Sequence, residues 1–189
     1  MQVLLRKYPT RVDPRDGSIR FEYEYARHGT QALLAAFDVQ TGRVFGRVVP
    51  HRDADALVSF MDALARRYGR HKRVYVVWDN LNIHYDGADA RWTRFNRRHG
   101  RRFRFVYTPK HASWMNQVEI WFSILQRRVL KHGDFATPAA QAQRVEGFII
   151  HWNQWERRPF HWTWRTDRLQ NHRHAASERL RLIRRAARR

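Results

Sequence analysis

The sequence predicts an α/β domain in which a mixed sheet is flanked by helices. Short, mostly apolar runs of strand length recur at 31–38, 73–78 and 103–107, the second of them rich in valine. Stripes of apolar residues at helical spacing separate and follow them. Turn-forming residues stand at nearly every junction between the two kinds of pattern.

Residues 1–30 show no clear periodicity, and Val12-Asp13-Pro14-Arg15-Asp16-Gly17 reads as a turn. Gln31 to Asp38 is a buried-strand run. Thr41-Gly42 turns the chain, and Arg43 to Val49 returns it as the second strand of a hairpin. Asp53 is placed to cap a helix whose apolar stripe is Leu57, Phe60, Met61, Leu64 and Tyr68, ending near Gly69. Arg73 to Trp78 is the next strand, stopped by Asp79-Asn80. A helix is expected over Ala88 to His99, with Trp92 and Phe95 inward and Gly100 ending it. Phe103 to Tyr107 is a strand closed by Thr108-Pro109. From Ser113 a long helix carries Val118, Trp121, Phe122, Leu125 and Val129 on one stripe. Another opens at Thr137-Pro138, with proline in its first turn, and buries Val145, Phe148, Ile149 and Trp152. The stretch from Arg165 to Arg189 is dense in arginine and histidine, and reads as a basic helix or a tail.

The chain is 189 residues long and 43% hydrophobic, which suits one domain with a real core and excludes disorder throughout. No apolar run is long enough to span a bilayer, and Met1 to Arg11 lacks a signal-peptide core. With no cysteine there is neither a disulfide framework nor a thiolate metal site. These features predict a soluble protein of the cytoplasm. The 37 basic residues against 17 acidic ones give a net charge of +20, a field that attracts polyanions, above all nucleic acid. All but four of the cations are arginine, which suits phosphate but also follows from a GC-rich genome.

Two acids stand where chemistry gathers in such folds. Asp79 ends a strand, and strand carboxyl ends are where α/β sheets collect functional groups. Glu119 lies one helix later, at the edge of the stripe defined by Val118 and Val129, from which a carboxylate can look along the sheet's rim. Phosphoryl transfer on DNA uses divalent ions about 3.5–4 Å apart held by carboxylates, and Mg²⁺ needs only a few such oxygens. Taken singly, Asp79-Asn80 is an ordinary turn and a glutamate on a helix flank is ordinarily solvated. His84, His111 and His132 read as structural or surface residues rather than ligands.

The words around the acids go further. Val77-Trp78-Asp79-Asn80-Leu81-Asn82-Ile83-His84 resembles the second-aspartate block of the Tc/mariner superfamily of transposases. The run from Tyr107-Thr108-Pro109-Lys110-His111 through Asn116-Gln117-Val118-Glu119-Ile120-Trp121-Phe122 resembles its third-acid block, most of all in the bacterial insertion-sequence branch. Arg27-His28-Gly29-Thr30, Ala35-Ala36-Phe37-Asp38 and His151-Trp152-Asn153 fit the same branch, so the resemblance runs from about Gln2 to Thr166. It implies an RNase H-like DDE domain over residues 1–165, with 166–189 as the basic helix or tail. It implies Asp79 and Glu119 as catalytic acids and ligands of Mg²⁺ or Mn²⁺, with Asn80 and Asn116 in support. The partners implied are DNA, both the element's ends and its target, and a second copy of the chain, since such enzymes generally act as dimers.

The family's first acid lies on a strand before the block that begins here at Met1, so the domain is expected to lack that strand and to expose the edge of the next one. A misassigned start codon or decay of the element accounts for such a truncation. Asp38 is the alternative third acid, although family members often carry a non-catalytic acid there. Activity of this chain alone is therefore expected to be impaired. A catalytically inactive, basic DNA-binding remnant is the competing reading, and an RNase H-like nuclease of other purpose is a third.

Overall fold

The structure is a computed structural model that describes residues 1–8, 10–20, 23–69, 71–109 and 115–161. Met1–Pro159 pack as one compact unit. The tail read at 166–189 and the segment 110–114 within the third-acid block lie outside the described residues.

Residues 1–30 are more ordered than their composition suggested. β1 (Gln2–Arg6) pairs antiparallel with β4 (Tyr25–Thr30), and β2 (Arg11–Val12) pairs with β3 (Ile19–Arg20). The expected turn closes the β2–β3 ribbon: Gly17 adopts φ +70°, and its N–H donates to the Asp13 carbonyl at 2.9 Å. β1 escaped sequence reading because one of its inward residues is a cation. Arg6 is buried by an ion pair with Asp134 at 2.7 Å, a partner distant in sequence that no local pattern announces.

The hairpin stands as expected. β5 (Ala32–Phe37) and β6 (Val44–Val49) run antiparallel from Ala32↔Val49 to Phe37↔Val44. α1 (Ala54–Arg67) is capped by Asp53, whose carboxylate accepts the Ala56 N–H at 2.7 Å. β7 (Val74–Trp78) and β8 (Phe103–Tyr107) form a parallel pair in register Val74↔Phe103 to Trp78↔Tyr107. α2 (Arg91–Arg98) lies in the crossover between them, as parallel pairing requires. It starts three residues later than Ala88, because Asp86 gathers the Trp92 and Thr93 N–H groups at 2.6 and 3.0 Å while Ala90 turns left-handed at φ 49°.

α3 (Val118–Leu125) also starts later than Ser113 and continues as a π-helical turn, Gln126–Leu130. α4 (Pro138–His151), capped by the Thr137 hydroxyl on Ala140 N–H at 3.1 Å, ends in a second π-helical turn, Trp152–Glu156. Phe148 is only half-buried, tilted against Trp121 with ring centres 6.1 Å apart.

The class is α/β, with antiparallel and parallel pairs both present. Yet the described strands form four two-stranded ladders rather than one continuous sheet, with β5 bonded only to β6 and β7 only to β8. Packing unites what hydrogen bonds do not. Leu34 of β5, Leu57, Phe60, Met61 and Leu64 of α1, Trp78, Trp92, Phe95 and Phe103 form one buried cluster. Each such fully buried side chain contributes about 1.5–3 kcal/mol. That core holds the end of β7, and with it Asp79, in place.

Candidate active site

Asp79 follows the last residue of β7, at the carboxyl end of the parallel pair. Two hydrogen bonds stitch the strand ends together there: Thr108 N–H to the Trp78 carbonyl, and the Asn80 side-chain amide to the Thr108 carbonyl, each 2.8 Å. Asn80 in turn accepts the Tyr85 hydroxyl at 2.7 Å. The supporting role expected of Asn80 therefore has a geometric content. It ties the loop after β7 both to β8 and to itself.

The loop folds back on the carboxylate. Asp79 Oδ1 accepts the Leu81 N–H at 3.2 Å and lies 2.7 Å from His84 Nδ1. Nδ1 also lies 3.2 Å from the Asp79 carbonyl, so this ring nitrogen faces two oxygens of one residue. The His84 ring stacks on Trp78 at 4.9 Å and 22°. A short 3-10 turn, Asn82–His84, brings histidine back over the strand end. Asp79 Oδ2 accepts no hydrogen bond from the described residues. The carboxylate is thus bonded through one oxygen. The sequence had placed His84 among structural residues; its five-residue spacing from Asp79 was the available signal, and only the 3-10 turn gives it meaning.

Glu119 sits in the first turn of α3, its N–H bonded to the Asn116 carbonyl at 3.0 Å. The Asn116 side chain accepts the Val118 N–H at 3.4 Å, a long bond that loosely caps the turn. Glu119 is an exposed residue overall, yet its carboxyl is held above the ordinary carboxylate range. Partial loss of water around it comes first, and the negative charge of Asp79 second. Two acids far apart in sequence thus feel each other.

Asp38 is differently placed. It sits in the β5–β6 turn, where Oδ1 accepts the Gln40 and Thr41 N–H groups at 3.0 and 3.1 Å, and Oδ2 accepts the Tyr68 hydroxyl at 2.9 Å. Burial works against its charge, but the Tyr68, Thr41 and Gln40 hydrogen bonds prevail and lower its pKa. Tyr68 is pushed up to about 12 by burial and by Asp38. Oδ1 of Asp38 thus serves the turn, and Oδ2 ties the turn to Tyr68 at the end of α1. Among the described residues no group of three or more His, Asp or Glu converges as a metal site.

Tyr107 and Tyr85 complete the rim. Their rings stack at 5.0 Å and 8°, and the Tyr107 hydroxyl donates to the His84 carbonyl at 2.7 Å. No helix among the described residues is long and apolar enough to cross a membrane.

No curated protein and no solved structure matches the chain. The family model described as DDE superfamily endonuclease matches residues 4–139, which take in both acids and the elements that carry them. On that match, the chain belongs to the DDE superfamily of endonucleases.

Proposed function

We propose that this chain is the catalytic domain of a bacterial insertion-sequence transposase of the Tc/mariner branch, cutting DNA and joining 3′ ends through Asp79 and Glu119. The observation that carries the reading is Asp79 at the carboxyl end of the parallel pair, with Oδ1 bonded by the Leu81 N–H and His84 and the loop tied to Thr108 by Asn80. The pKa of the Glu119 carboxyl is raised first by burial and second by the charge of Asp79. A carboxylate at a strand end whose charge raises the pKa of a second on α3, in a protein of charge +20, is an arrangement that a cation would relieve.

The residues fit a divalent ion of the Mg²⁺ or Mn²⁺ type. The donors are hard carboxylate oxygens, Asp79 Oδ2 takes no hydrogen bond from the described residues, and no cysteine is present to favour a softer metal. Bound ions would supply an activated hydroxyl and a stabilised leaving oxygen. The chain's own residues do the positioning. His84 and the Leu81 N–H hold Asp79 Oδ1, Asn80 locks the loop to β8, and the first turn of α3 presents Glu119. With no group of three or more such side chains converging among the described residues, ion affinity and turnover are proposed to be low. Asp38 is the remaining candidate third acid, at the cost of the three bonds that now hold it.

The test is nicking of supercoiled plasmid in Mn²⁺ alongside DNA binding. Asp79→Asn or Glu119→Gln is expected to abolish nicking and leave binding largely intact. Undiminished nicking by both variants refutes the assignment. The +20 charge leaves room for a second reading, a basic DNA-binding protein without catalysis. It requires binding that is strongly salt-dependent and indifferent to divalent metal, with no nicking by the wild type.

A further inference from the structure

We propose that the stacked Tyr85–Tyr107 pair is a platform for an unpaired nucleobase of the DNA strand presented to Asp79 and Glu119; this deepens the catalytic reading above and rests on it. The two rings are nearly parallel, 8° apart with centres at 5.0 Å. They are 43% and 37% exposed, so the pair stands on the surface rather than in the core.

Three features distinguish it from a chance surface contact. Both hydroxyls are tied down, Tyr85 to Asn80 Oδ1 and Tyr107 to the His84 carbonyl, each at 2.7 Å. Those anchors are Asn80, the neighbour of Asp79, and His84, whose imidazole holds Asp79. The plate is therefore fixed to the same loop as the candidate catalytic acid. Thirdly, the two tyrosines are not equivalent. Tyr107 meets Trp78 edge-on at 6.3 Å, so it already helps cover that ring. Tyr85 stacks on Tyr107 alone among the described rings, and its far face has no aromatic neighbour there.

A ring nearly half in water with a fixed orientation is pre-ordered for stacking, since little side-chain freedom remains to be lost. Nucleobases stack on such plates without regard to sequence, and the +20 charge supplies attraction for the backbone. Inside a duplex a paired base offers its faces only to its neighbours in the stack, whereas an unpaired base is open to the ring. The ligand chemistry is therefore an unpaired base, as at a frayed end or an overhang.

The experiment uses the full chain in EDTA, so that no cleavage intervenes, with 2-aminopurine placed in a short overhang or in a fully paired blunt duplex. The wild type is expected to bind the overhang more tightly and to quench the probe. Tyr85→Ala is expected to weaken overhang binding roughly five- to a hundredfold while leaving the blunt duplex unchanged. Tyr85→Phe keeps the ring, loses the bond to Asn80, and is expected to retain both the preference and the quenching. No overhang preference in the wild type, undiminished preference in Tyr85→Ala, or an equal loss in Tyr85→Phe and Tyr85→Ala each overturns the proposal. Asp79→Asn is expected to keep the preference. A ring-dependent preference in a protein that never nicks would sink the catalytic reading and leave the platform standing.

Discussion

Asn153 acts as a surrogate rung of backbone. Its side-chain oxygen accepts the Val44 N–H at 2.8 Å, and its amide donates to the Val44 carbonyl at 2.7 Å. Val44 opens β6 and is only 2% exposed with Asn153 in place, so removing the amide leaves two buried groups without their partner. Each lost bond costs about 0.5–1.5 kcal/mol net, and a stranded buried group about 1–3. Asn153→Ala is therefore expected to cost about 2–4 kcal/mol, which for a chain of this size lowers Tm by roughly 5–15 °C. Thermal and urea unfolding followed by circular dichroism and tryptophan fluorescence measure it. Asn153→Asp is the sharper variant: it keeps the acceptor but sets a carboxylate against the Val44 carbonyl. Its folded-state pKa should rise, so its deficit should be full at neutral pH and shrink in acid, where the carboxylic acid can again donate. A loss below about 0.5 kcal/mol for Asn153→Ala, the range of an ordinary surface change, refutes the reasoning.

Other expectations follow from the same geometry. His84→Ala frees the Asp79 carboxylate from its 2.7 Å partner and removes the stack on Trp78; Mn²⁺ affinity by calorimetry should fall roughly 10–100-fold, as for other residues that orient a metal ligand. Glu119 has a folded pKa above its unfolded one, so its cost to the metal-free fold appears as pH rises through that range and vanishes below the ordinary carboxylate value. Stabilisation by Mn²⁺ in a thermal-shift series should accordingly grow with pH in the wild type and stay flat in Glu119→Gln. Gly42→Ala should destabilise more than Asn153→Ala. Gly42 holds φ +70°, and an added Cβ would lie 2.2 Å from the Arg158 backbone, contact that no rotamer change can relieve. A Gly42→Ala protein as stable as the wild type would show that the segment after α4 does not dock on the hairpin as described.

Much of the framework was legible because its causes are local. Asp53 and Thr137 cap their helices with their own side chains, a few bonds away in sequence. Thr41-Gly42 lies in the hairpin turn, and the apolar runs of β7 and β8 are strands as expected, although they are buried on one face only, with Tyr75, Val77, Val106 and Tyr107 exposed. The position of Asp79 at a strand end followed from the same pattern. The later start of α2 was not legible, since it depends on Asp86 reaching forward to Trp92 and Thr93 across an irregular loop. Residues 1–30 were opaque because Arg6 is made a core residue by Asp134. His151-Trp152-Asn153 was noticed as a resemblance, but its work on Gly42 and Val44 was invisible: the Trp152 indole donates to the Gly42 carbonyl at 2.8 Å.

The sequence by itself determined the α/β class, the basic charge that favours DNA, and the identity of the two acids worth testing. Tertiary structure decided how those acids are held: that Asp79 has one oxygen bonded by His84, that its charge reaches Glu119, and that Asp38 is bonded by Tyr68 at the end of α1 as well as by its own turn. The physical reason is range. Periodicity and capping are set by neighbours along the chain, whereas a carboxylate's partners are chosen by where strands and helices end in space.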